Sequence, residues 1–243
     1  MTSPARAHRE RMLAALHGAA SSAHETQHAN AYELVLMQLI EHKRRLKTIE
    51  SIERKIEAKR GMLADFTPWV QGVLAADRGG QDDVLVTVML WTLDAGLLAD
   101  ALPMARYVIR HGLETPDSYE RKAPTLIAEE VADTTLTGRT ATDAAVLLDY
   151  VDLLEGCDMF DQVRAKLLKA TAGALIARAA DGDKPRALEL MKRAVELHDK
   201  VGCKKEIEVL ERELRKEEKQ QNNPPPPQGD GDPASTGDDN AAG

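Results

Sequence analysis

The feature that most restricts the fold is the segment 31–60, which contains no glycine or proline and repeats apolar residues at helical spacing. At 100° per residue, these apolar side chains lie on one side of a helix and form a stripe for packing. The stripe contains Val35, Leu39, Leu46, Ile49, Ile52, Ile56 and Leu63. We therefore predict one long helix over about 31–63. Thr67 and Pro68 are typical of a helix start, so the next helix is predicted to begin there.

The rest of the chain up to residue 219 shows the same helical periodicity, and aromatic residues make up only 3% of the sequence. The patterns predict an all-α fold with a bundle of antiparallel helical hairpins. Residues 3–16 are expected to form a short basic helix or a mobile arm, and further helices are expected at about 81–95, 98–112, 125–137, 141–155, 158–180, 184–200 and 203–219. No apolar stretch reaches the roughly 18–20 residues that a membrane span requires. We therefore expect no membrane contact and a location in the cytoplasm.

Changes in composition divide the chain into four segments. Residues 1–30 are predicted to be a basic arm and linker, 31–65 the long helix, and 66–219 a helical domain. After residue 220 the sequence contains four consecutive prolines, then glycine, aspartate, alanine and serine, with no residues that could form a core. Such a composition predicts a disordered tail over 220–243.

A weak internal repeat relates the helix pair near 94–109 to the pair near 181–197. In each, a turn is followed by an Ala-Leu pair and then by another small or branched residue. This spacing fits tetratricopeptide-like hairpins, which stack through small residues. Ordinary antiparallel helix packing gives the same pattern, so both interpretations stay open.

Charge is distributed unevenly along the chain, whose formal net charge is −8. Residues 1–60 contain 11 Lys or Arg and 7 Asp or Glu, whereas the remaining residues contain 21 and 33. The amino-terminal part is therefore predicted to attract a polyanion that the rest of the surface would repel.

Six basic residues of the predicted long helix gather in an arc of roughly 160°, largely opposite the apolar stripe, whereas Arg45, Arg60 and Glu41 are exceptions to this segregation. Neutralising DNA phosphates would release bound counterions, so duplex DNA is the predicted partner. The candidate DNA-binding residues are Lys43, Arg44, Lys47, Arg54, Lys55 and Lys59, assisted by Arg6, Arg9 and Arg11. A solvated or coiled-coil face with unpartnered charge is the alternative. Aromatic residues do not interleave with these cations, and no helix-turn-helix spacing is apparent.

Motifs for catalysis are not apparent in the sequence. A Gly-x-x-x-x-Gly-Lys-Ser/Thr loop is absent, and Asp82 and Asp83 suit the negative charge that favours a helix start. Only His24 and His28 have a metal-compatible spacing, in a polar segment that lacks a third ligand. We therefore predict no catalytic residue, no metal site and no cofactor, which leaves a binding protein.

Several blocks of this chain resemble the gpM-type small terminase subunit of cohesive-ended temperate tailed phages. The most specific block is 81–96 (QDDVLVTVMLWTLDAG), which continues through 105–113 (ARYVIRHGL). Further similar blocks, in order, are 1–5 (MTSPA), 31–36 (AYELVL), 68–74 (PWVQGVL), 129–132 (EEVA), 163–167 (VRAKL) and 204–214 (KKEIEVLEREL). The resemblance covers about residues 1–216. The acidic tail departs from the basic tails of similar proteins.

The resemblance implies a role in packaging viral DNA in the host cell cytoplasm. Similar proteins recognise the cohesive-end region of phage DNA and associate with a large ATPase subunit. Together, the two subunits cut the DNA and load it into the procapsid. We expect a homo-oligomer, in which avidity would strengthen weak contacts. The family is often labelled the terminase endonuclease subunit, so a metal-dependent nicking activity of this chain is one alternative. A helical-repeat scaffold that binds only protein is another.

Overall fold

The computed structural model describes residues 4–16, 25–116, 119–138 and 142–222. Within these ranges the protein consists of α-helices joined by turns and contains no strand, which confirms the predicted all-α fold. The helices are α1 (Pro4–Leu16), α2 (Glu25–Lys47), α3 (Ile52–Ala76), α4 (Asp83–Asp94), α5 (Leu98–His111), α6 (Ala123–Leu136), α7 (Ala144–Leu153), α8 (Asp161–Arg178), α9 (Asp183–Leu197) and α10 (Lys204–Asn222).

Helix α4 lies at the centre of the amino-terminal half and packs against α2, α3, α5 and α6. Its residues 84–93 are all buried, as expected for a helix that is apolar on every side. Asp82 caps this helix, because its carboxylate accepts hydrogen bonds from the Leu85 N–H and the Trp69 Nε1–H, both at 2.8 Å. The interpretation of Asp82 as part of a helix start is thus confirmed.

The carboxy-terminal half extends this core through α6, α8, α9 and α10, each packed against the next. Alanines spaced seven apart lie fully buried where α8 meets α9, namely Ala165 and Ala172 on one helix and Ala187 and Ala194 on the other. Such small side chains allow two helix axes to approach closely. The tetratricopeptide-like interpretation of these hairpins stays a prediction.

The prediction of one long helix over 31–63 is wrong, because α2 ends at Lys47 and α3 begins at Ile52. Ser51 caps α3: its backbone is extended, and its hydroxyl accepts a hydrogen bond from the Arg54 N–H at 3.4 Å. A serine in this position is a preferred helix N-cap. Helix α2 also begins at Glu25, so 25–30 are helical and do not belong to a linker.

The predicted helix start at Thr67 and Pro68 is also wrong, because both residues lie inside α3. Proline removes the N–H that would bond to the Ala64 carbonyl. Ala64 is exposed, so water can satisfy that oxygen, and the Thr67 hydroxyl donates to the Leu63 carbonyl at 3.3 Å. The Pro68 ring is buried, so its packing offsets part of the lost hydrogen bond.

Two predictions concern residues that the structure describes only in part or not at all. His24 lies outside the described residues, and the predicted tail does so as well from residue 223 onward. Residues 220–222 form the end of α10. None of the helices in the described ranges is long and apolar enough to cross a bilayer.

Candidate nucleic-acid interface

The junction between α2 and α3 gathers basic residues from both helices. Helix α2 ends with Arg44, Arg45 and Lys47, and the turn 48–51 leads directly into α3, which carries Arg54 and Lys55 in its first turn. The turn is fixed at both ends, since Thr48 donates from its hydroxyl to the Arg45 carbonyl at 2.8 Å and Ser51 caps α3. We name these five residues, Arg44, Arg45, Lys47, Arg54 and Lys55, the basic corner.

The charges of the basic corner are largely available to a partner. Arg44, Arg45, Lys47 and Arg54 are exposed, and Lys55 is half-buried. Arg44 lies 3.6 Å from Glu41, but both side chains are 74% exposed, so water screens this pair. Within the described residues, the other four cations form no ion pair. In that part of the chain, four positive side chains thus lack an intramolecular acidic partner.

Favourable interaction with a helix dipole explains the position of only some of these cations. Arg44, Arg45 and Lys47 lie in the last turn of α2, where the helix dipole stabilises positive charge by about 0.3–1 kcal/mol. Arg54 and Lys55 lie in the first turn of α3, where the same dipole disfavours positive charge. Segment 41–60 contains eight Lys or Arg and four Glu, so it also carries excess positive charge. An anionic partner would explain both observations.

Two predicted DNA-binding residues, Lys43 and Lys59, lie elsewhere. Lys43 is half-buried, and loss of hydration lowers the pKa of its ammonium group, an effect that Asp83 partly opposes. Lys59 forms an ion pair with Asp94 in which the side chains are 18% and 22% exposed. Its neighbour Arg60 donates from Nε to the Ala95 carbonyl at 2.9 Å. Lys59 and Arg60 therefore attach α3 to the end of α4.

The arginines of α1 lie beside the first half of α2. Arg6 and Arg9 border a cavity of about 280 Å³ together with Leu13, residues of 31–38 and Trp69. Arg6 also pairs with Glu10 at 2.9 Å, and Arg11 is half-buried. The structure therefore does not place Arg6, Arg9 and Arg11 with the basic corner.

A surface groove of about 410 Å³ between α2 and α3 contains a basic residue that the sequence-based prediction does not include. That residue is Arg45, which a single straight helix places outside the basic arc. The capping signal of Ser51 could have revealed the break that brings Arg45 next to Arg54. The groove is lined by His42, Arg45, Arg54, Glu57, Ala58, Gly61, Met62 and Asp65.

Two polar side chains that line the groove, His42 and Asp65, are hydrogen-bonded to each other. His42 Nε2 lies 3.0 Å from an Asp65 carboxylate oxygen, and the imidazole packs edge-on against the Phe66 ring with centroids 5.6 Å apart. The His42 side chain is only 16% exposed, so packing fixes its orientation. In the part of the chain that the structure describes, no group of three or more His, Cys, Asp or Glu side chains could hold a metal ion.

The fold and the candidate site define a class: an all-α protein with an exposed basic corner and a buried central helix, α4, which we name the hub. Comparison with known proteins is more specific. The family model of the phage small terminase subunit matches residues 36–162, which include both the corner and the hub. A protein of Escherichia phage P2, named "Terminase, endonuclease subunit", is 44% identical to this chain over 218 residues, which cover 88% of this chain and 87% of that protein. No solved structure matches.

The chain belongs to the phage small terminase subunit family. This membership confirms the resemblance seen in the sequence and assigns the protein a role in packaging phage DNA.

Proposed function

We propose that this protein binds the cohesive-end region of viral double-stranded DNA through the basic corner and presents that DNA to the large terminase subunit. The observation that carries the proposal is the set of four corner cations that have no acidic partner within the described residues. Each phosphate that such a cation neutralises releases condensed counterions, which favours binding at moderate salt. Residues 44–55 contain no aromatic side chain, so the corner suits a duplex backbone better than stacked single-stranded bases.

Binding of a cohesive-end DNA duplex by two charge-matched variants tests this proposal. In the first variant, all five residues of the basic corner are changed to Gln. In the second, five exposed cations of α10 that also form no ion pair within the described residues are changed to Gln, namely Lys204, Lys205, Arg212, Lys216 and Lys219. Fluorescence anisotropy at low salt should show an affinity at least about tenfold weaker for the first variant only. Equal weakening in both variants would contradict the proposal.

A second copy of this chain is the proposed partner of an exposed apolar face on α1 and α2. Met12, Leu34 and Met37 are 53%, 68% and 66% exposed, and Ile40 is 44% exposed. Leu34, Met37 and Ile40 recur at intervals of three on α2, and exposed apolar side chains on one helix face are typical of a protein interface. Oligomerisation would place several basic corners on one DNA molecule and strengthen binding by avidity. Light scattering should show a smaller assembly for Leu34→Glu with Met37→Glu, whereas an unchanged mass would exclude this face.

The large terminase ATPase subunit is the second proposed protein partner. The charged helices α9 and α10, over 184–219, are the proposed contact surface, as they lie away from the basic corner in sequence and carry many Glu residues. Deletion of α10 should abolish copurification with the large subunit and leave DNA binding intact. We place this assembly in the host cell cytoplasm, where viral DNA is packaged.

A nuclease activity of this chain itself is the alternative, suggested by the name of the phage P2 relative, which is called an endonuclease subunit. Incubation of the purified chain with Mg²⁺ and cohesive-end DNA distinguishes the two proposals. The binding proposal expects intact DNA unless the large subunit is added. Site-specific nicking by this chain alone would establish the alternative.

A further inference from the structure

The groove between α2 and α3 is built from side chains of one stripe on each helix. Arg54, Glu57, Gly61 and Asp65 recur at intervals of three or four residues along α3, so they lie on one face. His42 and Arg45 are related in the same way on α2. The groove therefore lies between one face of α2 and one face of α3, next to the turn 48–51 that joins them.

Arg45 and Arg54 border this groove from opposite helices. Both side chains are exposed, and within the described residues neither has an acidic partner. Guanidinium groups bind phosphate oxygens through paired, charge-assisted hydrogen bonds. Two such groups facing one groove are suited to hold an anion between them.

Position 61 of the groove is occupied by glycine, although neither the backbone conformation nor close packing requires a glycine there. It lies inside α3, it has no left-handed backbone, and a Cβ atom built on it meets nothing within 4 Å. Glycine in the interior of a helix is less stable than alanine, because it loses more conformational entropy on folding. The open space around Gly61 means that close packing does not account for that cost. The missing side chain leaves the backbone of α3 open to a molecule that enters the groove.

The two carboxylates of the groove bear unequally on an anion. Asp65 is hydrogen-bonded to His42, which directs its charge toward the imidazole. Glu57 is exposed and, within the described residues, forms no ion pair. It should therefore weaken anion binding, because its carboxylate adds negative charge to the groove and like charges repel.

We propose that this groove holds one phosphodiester group of the DNA backbone between Arg45 and Arg54, with the sugar–phosphate chain passing over Gly61. The inference rests on the proposed function and deepens it, because it assigns one phosphate to a defined place in the basic corner. It also predicts that filling the groove with an uncharged side chain weakens DNA binding.

The test compares Gly61→Met with Gly173→Met. Gly173 is also exposed inside a long helix, α8, and a Cβ atom there likewise meets nothing within 4 Å. Both variants should melt at or above the temperature of the unchanged protein, since methionine favours helix formation. Only Gly61→Met should weaken binding to a cohesive-end duplex, by about tenfold, because one charge-assisted hydrogen-bonded phosphate is displaced. The slope of log K against log salt should fall by about 0.9.

A second pair of variants tests the groove without filling it. Glu57→Gln should strengthen DNA binding by about two- to threefold, because it removes a repulsive charge next to the phosphate. Glu53→Gln removes the same charge one turn earlier on α3, outside the groove, and should have the smaller effect. Equal effects of the two substitutions would overturn the inference.

The DNA affinities of the five-residue corner variant and of Gly61→Met separate the phosphate site from the proposed function. If the five-residue corner variant loses affinity and Gly61→Met does not, the corner binds DNA but the groove holds no phosphate. If the corner variant retains affinity, the proposed function itself fails.

Discussion

Arg54 and Lys55 of the basic corner and the neighbouring Lys59 and Arg60 lie within two turns of each other on α3, yet they differ in their partners. Arg54 and Lys55 form no ion pair within the described residues. Lys59 pairs with Asp94, and Arg60 donates to the Ala95 carbonyl. Both acceptors lie at the end of α4, where the helix dipole presents partial negative charge.

This difference shows that cations on one helix can lie in two different environments. Cations that reach an acceptor of a neighbouring helix hold the fold together, as Lys59 and Arg60 do. Cations beyond the reach of any such acceptor stay available to an external anion. A helical wheel sorts residues by direction around one axis, and it contains no information on which neighbouring helix lies within reach.

The largest effect on stability is expected at the Lys59–Asp94 ion pair. Lys59→Met should lower the free energy of unfolding by about 1–3 kcal/mol, because it removes the ammonium group that pairs with the partly buried Asp94 carboxylate. DNA affinity should stay within about twofold. Arg54→Gln should give the opposite pattern, with lower affinity and unchanged stability. Chemical denaturation together with anisotropy measures both, and a large decrease in affinity for Lys59→Met would remove the distinction between the two regions.

The acidic surroundings of Lys59 should make stability depend on pH. Burial raises the pKa of Glu130 from 4.5 to about 7, and Asp94 adds to this effect while Lys59 opposes it. A carboxyl whose pKa is raised in the folded state stabilises the protein while it is protonated. Stability should therefore fall as pH rises from about 4.5 toward 7.

Glu130→Gln should remove this pH dependence and raise the free energy of unfolding at pH 8 by about 1–2 kcal/mol. Denaturation curves at several pH values measure both quantities. An unchanged pH dependence in the variant would mean that Glu130 is not the group responsible.

The turn that separates the two helices should contribute a smaller amount. Ser51→Ala removes the hydroxyl that caps α3 and should lower the free energy of unfolding by about 0.5–1 kcal/mol. Ser51→Asp restores a capping oxygen and should recover that stability. Equal stability of the alanine and aspartate variants would show that the capping hydrogen bond does not stabilise the start of α3.

The smallest expected effect concerns Glu41, which pairs with Arg44 of the corner. Glu41→Gln should release Arg44 and strengthen DNA binding by about twofold, since an exposed pair of this kind contributes well under 1 kcal/mol. Anisotropy at low salt can resolve this change. Weaker binding by the variant would mean that Glu41 orients Arg44 for DNA.

Most of the fold is predictable from the sequence because apolar periodicity and capping residues act locally. The prediction of helices near 81–95 and 98–112 is confirmed within two residues at each end by α4 and α5. The break at 48–51 escapes prediction, since periodicity continues across it and only Ser51 signals a cap. Pro68 misleads because a proline at a first turn and a buried proline inside a helix look the same in sequence.

The candidate site is less predictable because it depends on contacts between distant residues. The pairing of Lys59 with Asp94 joins positions 35 residues apart, and no local pattern reveals it. The position of Arg45 beside Arg54 depends on the break between α2 and α3. Both cases follow from how helices meet rather than from the pattern within either one.

The most direct test of the account is the salt dependence of DNA binding by the protein and by the two five-residue glutamine variants. If the basic corner neutralises phosphates, its substitution should flatten the slope of log K against log salt by about 0.9 for each phosphate that is no longer neutralised. The α10 variant, with the same change in charge, should keep the original slope. An unchanged slope for the corner variant, or equal flattening in both, would contradict the claim that this corner is where the protein meets DNA.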